Sequence, residues 1–250
     1  MTETVETQRT ETYALSNTVA WIRIVRYGAL AVAFWSVALQ LIAGQFIPPV
    51  MFFGVLFAAF VPFLKGERRK LALVVAILAV LALLGNLPGT IDDLSHPNSA
   101  PAFILTALVT LAAMVVLVSG VAAFRSWSPD PIRPIAIAAG GLFAMAVIVG
   151  LVAASSVDSA VPLASDTQVV AAGVEFDVSQ LVVSAGENGF WLDNQDGIRH
   201  TFTIEGTDMQ LDVPGLSAAR ADFQLEAGEY NVFCSVPGHE KMTIRLTVER

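Results

Sequence analysis

Histidine and cysteine are the scarce residues of this chain: three His and one Cys in 250 residues. A single Cys excludes an internal disulfide, and three His sharply restrict any metal chemistry. Charge is sparse as well, at 14% of residues where an ordinary soluble domain carries roughly 25%. What charge there is leans acidic, with 22 Asp and Glu against 14 Lys and Arg and a net charge of −8, which speaks against nucleic acid as a partner. Apolar residues fill the gap. They make up 55% of the chain, with a mean hydropathy of +0.65, which excludes a disordered chain and argues against a wholly soluble one.

The apolar residues are unevenly placed. Five runs, 27–44, 48–64, 71–86, 101–124 and 134–154, precede residue 156, and none of comparable length follows it. A bilayer-spanning helix needs about 20 residues (range ~17–25). The second and third runs are short at their strict limits, and flanking residues extend both. The expected fold class for 27–154 is therefore an α-helical membrane bundle of five transmembrane helices in the lipid bilayer. No Asp, Glu, Lys, Arg or His lies inside any run. Proton relays, ion pathways and transporters of charged substrates usually carry such residues, and a bis-His haem needs two of them. The bundle thus reads as an anchor or docking surface, with Gly140 and Gly141 as points where helices can approach closely.

Orientation follows from the basic residues. Arg23 and Arg26 precede the first run, Lys65, Arg68, Arg69 and Lys70 separate the second from the third, and Arg125 and Arg133 separate the fourth from the fifth. The loops 45–47 and 87–100 contain no Lys or Arg. By the positive-inside rule the N-terminus is cytoplasmic, and everything after Ala154 is extracytoplasmic, in a multi-pass protein of the cell membrane. Residues 1–26, with Glu3, Glu6 and Glu11, read as a cytoplasmic tail without the pattern of a cleaved signal peptide. In the outer loop, Asp92, Asp93 and His96 are either a weak metal site or ordinary solvated residues.

Residues 155–167 are small and polar, interrupted by Pro162, and read as a linker. From 168 to 250 the pattern becomes that of an all-β sandwich, with candidate strands at 169–174, 180–185, 189–194, 198–205, 219–225, 229–235 and 242–249. Alternation puts Ile198, His200, Phe202 and Ile204 on one strand face, and Tyr230, Val232 and Cys234 on another. Met242, Ile244, Leu246 and Val248 alternate in the same way, and the connection before them carries His239.

One thiolate, two imidazoles and a thioether at one end of a sandwich have a specific meaning. Trigonal His₂Cys with a weak axial Met is the blue-copper arrangement, in which soft sulfur ligands favour Cu(I) and imidazoles also suit Cu(II). Such a site has no obvious open position for a substrate, so a carrier is expected rather than an enzyme, with no small organic substrate.

Two segments carry a family resemblance. Trp-Leu-Asp-Asn-Gln-Asp-Gly-Ile-Arg-His-Thr-Phe-Thr-Ile (191–204) and Leu-Glu-Ala-Gly-Glu-Tyr-Asn-Val-Phe-Cys-Ser-Val-Pro-Gly-His (225–239) resemble the ligand-bearing segments of cupredoxins, the plastocyanin and azurin family. The resemblance covers residues 175–249. It implies a Greek-key sandwich binding one mononuclear type 1 copper ion through His200, Cys234 and His239, with electrons exchanged at the solvent-side edge of His239. One feature departs from the family pattern: only Glu240 and Lys241 separate His239 from Met242. That spacing resembles the copper domain of cytochrome oxidase subunit II, whose binuclear site needs two Cys, so a mononuclear site is implied here. Met242 is either the axial ligand or the first core residue of the last strand.

The expected function is a membrane-anchored blue-copper protein that transfers single electrons at the extracytoplasmic face. Its expected partner is a redox protein such as a cytochrome or a terminal oxidase or reductase. A copper-delivery protein and a structural cupredoxin-like subunit of a redox complex are the alternatives. Residues 167–250 hold 13 acidic and five basic residues, so the whole net charge belongs to this region.

Overall fold

The computed structural model describes residues 2–43 and 46–250; Gly44 of the first expected span and Gln45 of the expected 45–47 loop lie outside the described residues. Six helices precede nine strands: α1 (Thr2–Ala43), α2 (Pro48–Phe60), α3 (Arg69–Gly85), α4 (Leu87–Ser95), α5 (Ala100–Arg125) and α6 (Ile132–Ser155). Among the described residues three helices are long and apolar enough to cross a membrane: Leu15–Ile42 within α1, then α5 and α6. The pair α3 and α4, bent by 65°, makes a fourth if it counts as one span. Pro48–Phe63 is a shorter apolar helix, and at about 1.5 Å per residue it falls short of a roughly 30 Å hydrocarbon core.

The bend lies at Asn86 and Pro88. Asn86 leaves helical geometry at φ −110° and ψ 11°, its side-chain amide donates to the Ala82 carbonyl at 2.8 Å, and Pro88 has no N–H with which to continue the ladder. The expected 87–100 loop is therefore largely helix α4.

The chain divides into two compact units, each described by itself. The first draws on α1 as far as Ala38, on Ile47–Leu87 and on Ala107–Met145. Its core contains Trp21, Val25, Phe57, Leu64, Val75 and Val116, and the Trp21 indole N–H donates to the Trp127 carbonyl at 3.0 Å. At Gly120 α5 comes close to α3, since a Cβ there would lie 2.6 Å from the Ala72 carbonyl oxygen. Gly140 and Gly141, expected to serve this purpose, have nothing within 4 Å. They lie on α6, whose Ile137, Leu142, Met145, Ile148 and Leu151 are all exposed.

The second unit is built from Leu39–Phe46, Pro88–Thr106 and Ala146–Arg250. Its strands are β1 (Thr167–Ala172), β2 (Glu175–Phe176), β3 (Gln180–Ser184), β4 (Gly186–Asn194), β5 (His200–Ile204), β6 (Gln210–Val213), β7 (Ser217–Leu225), β8 (Gly228–Phe233) and β9 (Thr243–Glu249). They form a four-stranded sheet, β2-β1-β4-β7, and a five-stranded sheet, β3-β9-β8-β5-β6. Strand β1 runs parallel to β4 and β3 parallel to β9; the other pairs are antiparallel.

The sheets meet through rings: Phe190 of β4 lies 5.0 Å from Phe202 of β5 between centroids, and Phe176 of β2 lies 6.3 Å from Phe202. Ile244, Leu246 and Val248 of β9 are buried while Thr243, Arg245 and Glu249 are exposed, as the alternation requires. Each fully buried large apolar side chain contributes about 1.5–3 kcal/mol.

Seven strands were expected and nine are present. The two additions are β2, of two residues, and β6, of four, too short to show a periodicity. The segment expected as a linker lies along the sandwich. The Ala160 N–H donates to the Ala218 carbonyl at 2.9 Å, the Trp191 indole donates to the Ala160 carbonyl at 2.8 Å, and Asp166 pairs with Arg220 at 2.9 Å.

Candidate metal centre

The strand boundaries decide where the reactive side chains fall. His200 is the first residue of β5, Cys234 directly follows β8, and Met242 directly precedes β9. Between them the chain folds back on itself. The Cys234 N–H donates to the Met242 carbonyl at 3.1 Å, the His239 N–H to Val236 at 3.1 Å, and the Met242 N–H to His239 at 2.9 Å. Gly238 makes this turn at φ +91°, a conformation that strains any L side chain. The result returns His239 to the neighbourhood of Cys234.

Among the described residues His200, Cys234 and His239 form a buried group whose potential ligand atoms lie within 4.8 Å of one another. Cys234 Sγ is 3.4 Å from His239 Nδ1 and 3.8 Å from His200 Nδ1, so both rings turn the same nitrogen towards sulfur. Their centroids are 4.9 Å apart. Met242 is also buried, 1% exposed, at the end of this loop.

The electrostatics match the geometry. Burial pushes the Cys234 thiol up, but hydrogen bonds with His200 and His239, joined by the Thr201 amide, overcome it and bring the thiol from 9.0 to about 5. Burial likewise opposes protonation of His200, and the hydrogen bonds with Asp196 and Cys234 outweigh it and raise the imidazole above its usual value. The Thr201 N–H donates to Cys234 Sγ at 3.3 Å, and the Thr201 hydroxyl accepts from the Ser235 N–H at 2.7 Å. A buried, readily ionised thiol facing two imidazole nitrogens fits a thiophilic transition metal with mixed nitrogen and sulfur ligation. Hard cations seek oxygen ligands instead.

Two surrounding residues were not singled out by the sequence pattern. Asp196 accepts from His200 Nε2 at 2.8 Å, and buried Asn194 donates to the Ile198 carbonyl at 2.8 Å. Asp196 lies in a Gln-Asp-Gly sequence at 195–197, a turn signal that carries no ligand meaning by itself. The spacing of four residues from Asp196 to His200 was the only further signal.

His239 is 4% exposed, which overturns the expectation of a solvent-side imidazole edge. Elements of the same unit lie around this end of the sandwich. The Arg199 guanidinium bridges Asp92 of α4 at 2.5 Å and Asp212 of β6 at 2.6 Å. The Gly215 N–H donates to the Ser99 hydroxyl at 2.9 Å. A Cβ on Gly197 would lie 2.5 Å from Ile42 Cγ2, 3.1 Å from the Ile42 carbonyl oxygen and 3.3 Å from Pro101 Cβ, so a side chain there requires Ile42 to shift. Asp93, which accepts from the Thr106 hydroxyl at 2.6 Å, is within electrostatic reach of His239. Asp92 and Asp93 are thus engaged rather than solvated, and His96, whose Nδ1 meets the Asp92 carbonyl at 2.7 Å, stays outside the His–Cys–His group.

No family model and no curated protein matches the chain. Among solved structures it is similar to amicyanin from Paracoccus versutus (Thiobacillus versutus), at 21% identity over 36% of this chain and 85% of that one, with a TM-score of 0.30. It is similar to a copper binding protein in the apo form, at 15% identity over 34% and 86%, TM-score 0.29. It is also similar to a chain of a heme-copper terminal oxidase dimer, at 14% identity over 48% and 97%, TM-score 0.29. With likenesses this distant, the chemistry is read from the side chains themselves: His200, Cys234 and His239 form a buried nitrogen and sulfur donor group that fits a blue-copper site, with Met242 buried at the end of the same loop.

Proposed function

We propose that this chain is a membrane-anchored, mononuclear blue-copper protein that passes single electrons at the extracytoplasmic face. One observation carries the proposal: three buried donor atoms from two distant segments converge within 4.8 Å, and one of them is the chain's single Cys. Copper bound there would supply a one-electron Cu(I)/Cu(II) couple. Cys234 would offer the thiolate, His200 and His239 their Nδ1 atoms, and Met242 a thioether. Strand ends and a hydrogen-bonded loop fix these side chains, which limits rearrangement between oxidation states. The residues around the centre are hydroxyls, amides and carboxylates already committed to internal hydrogen bonds, so the chain acts as a carrier and not as an enzyme in its own right.

In this reading the apolar helices are the anchor. They cross the bilayer five times, the short Pro48–Phe63 helix by local thinning of the bilayer, from a cytoplasmic N-terminal tail (1–26) through a bundle (27–154), and a connecting segment (155–167) leads to a Greek-key copper domain (168–250). Arg and Lys residues restricted to alternate loops support that orientation. The partner is a redox protein, a cytochrome or a terminal oxidase or reductase. The acidic surface of the copper domain favours a basic face on that partner, with association that weakens as salt rises.

The test is to purify the full chain in detergent, add Cu(II), and record visible absorption and electron paramagnetic resonance. The expected result is one copper per chain, an intense thiolate-to-copper band and narrow hyperfine splitting. Met242→Leu should shift the potential and keep the band. Absence of stoichiometric binding overturns the proposal, and binding of Cu(I) alone replaces it with copper delivery.

A further inference from the structure

Asp196 is anchored through every polar atom it has. Its N–H donates to Asn194 Oδ1 at 3.0 Å, and its carbonyl accepts from the Leu216 N–H at 2.8 Å. Carboxylate Oδ1 accepts from the Gly173 N–H at 2.8 Å. Oδ2 accepts from the Val174 N–H at 3.0 Å and from His200 Nε2–H at 2.8 Å. The turn that aims the two amides at the carboxylate is strained: Val174, β-branched and buried, sits at φ +61° beside Gly173 at φ +63°. Such a conformation persists only where its surroundings over-determine it. The side chain is 7% exposed, so its charge acts with little screening by solvent.

An imidazole has two nitrogens, and the hydrogen bond made by one decides what the other can do. In the neutral ring, a carboxylate accepting at Nε2 keeps the remaining proton there. The lone pair is then left on Nδ1, which faces Cys234 Sγ at 3.8 Å. A negative charge behind the ring also strengthens it as a donor and favours the more highly charged state of a bound metal.

We propose that Asp196 is a positioning residue for His200: it fixes the Nε2–H tautomer that turns Nδ1 towards Cys234, and its charge holds the reduction potential of the centre down. The first half stands on the protein alone. The second rests on the copper reading above.

Substitutions separate the two contributions. In Asp196→Asn the amide oxygen can replace Oδ2, accepting from His200 and Val174, while Gly173, which is exposed, turns its N–H to water. The acceptor is kept and the charge lost. In Asp196→Ala both are lost. The full chain in detergent, metal-free, carries only three His, so nitrogen-15 NMR can assign each ring. At a pH where the ring is neutral, wild type and Asp196→Asn should show the remaining His200 proton on Nε2, and Asp196→Ala a mixture of tautomers. With Cu(II) added, Asp196→Asn should keep narrow hyperfine splitting at a raised potential, and Asp196→Ala should broaden the splitting.

A neutral His200 ring with its proton on Nδ1 in the wild type, or an unchanged tautomer in a folded Asp196→Ala, overturns the positioning role. An unmoved potential in Asp196→Asn overturns the electrostatic one. If Asp196→Ala does not fold by circular dichroism, the wild-type tautomer and the Asp196→Asn potential still decide. If the wild type binds no copper, the electron-transfer reading fails while the NMR result on Asp196 stands.

Discussion

The helical and β regions solve opposite problems with opposite compositions. The helical region has apolar side chains in excess and leaves many of them outside, as on α6, where Leu142, Met145 and Ile148 are exposed. Its close contacts are made by what is missing, as where Gly120 lies against the Ala72 carbonyl. The β region hides its apolar residues between two sheets and spends its few chemically distinctive residues on one end. The helical region is therefore defined by periodic bulk that tolerates exchange. The metal centre is defined by single atoms that do not.

Replacement of Cys234 by Ser should show the contrast at its sharpest. The thiolate-to-copper band should vanish entirely, while the helical content by circular dichroism is unchanged. Retention of the band would mean that the sulfur is not a ligand. Next in size, Phe202→Ala removes the ring that meets Phe190 and Phe176 across the sheets. It should cost about 3–5 kcal/mol of β-domain stability, the usual range for a buried Phe, measurable by denaturant titration of the β signal.

The helical region offers a matched pair. A Cβ on Gly120 would meet backbone at 2.6 Å, whereas one on Gly140 meets nothing within 4 Å. Gly120→Val should lower the melting temperature of the helical signal and leave the copper spectrum intact, while Gly140→Ala should be neutral or gain up to about 1 kcal/mol in helix propensity. Equal effects of the two would mean that the helices do not pack as described.

The smallest effect is one of pH. With the thiol lowered from 9.0 to about 5, the folded metal-free chain binds fewer protons at Cys234 than the unfolded one in that window. The Cys234 contribution to stability therefore grows as pH rises from about 5 and is full above the ordinary thiol value. His200, raised by its partners, contributes with the opposite sign, so ionisation is best read directly. Ultraviolet thiolate absorbance should titrate with a midpoint near 5, and copper affinity should fall as pH drops through it, because protons compete with the metal for sulfur. A midpoint near 9 would mean that the imidazoles do not stabilise the thiolate.

Parts of the centre were legible in advance. Strand alternation put His200 and Cys234 on the buried side, and both are buried. It did not reveal that β5 begins at His200 or that β8 stops at Phe233, because a strand ends where its hydrogen-bond partners end, and those belong to other strands. Asp196 looked like a turn residue because its backbone does make a turn; its carboxylate matters through amides more than twenty residues earlier. The burial of His239 was not legible at all. Arg199 and Asp92 are 107 residues apart, and no local pattern pairs them. The helical prediction erred differently, since 87–100 reads as the loop between two apolar runs, yet Leu87–Ser95 is helical, and its Pro88 is well tolerated in the first turn of a helix.

The sequence by itself determined the division into apolar helices and an acidic β region, and it identified the few residues able to ligate a metal. Periodicity and scarcity are properties of the chain alone. Only the tertiary structure decided which donor nitrogen faces the sulfur, that Asp196 stands behind His200, and that His239 is buried. The physical reason is that each of these is a distance between atoms far apart along the chain. Such distances are set by the register of packed strands and by buried polar groups that must find partners, and no single segment contains both ends.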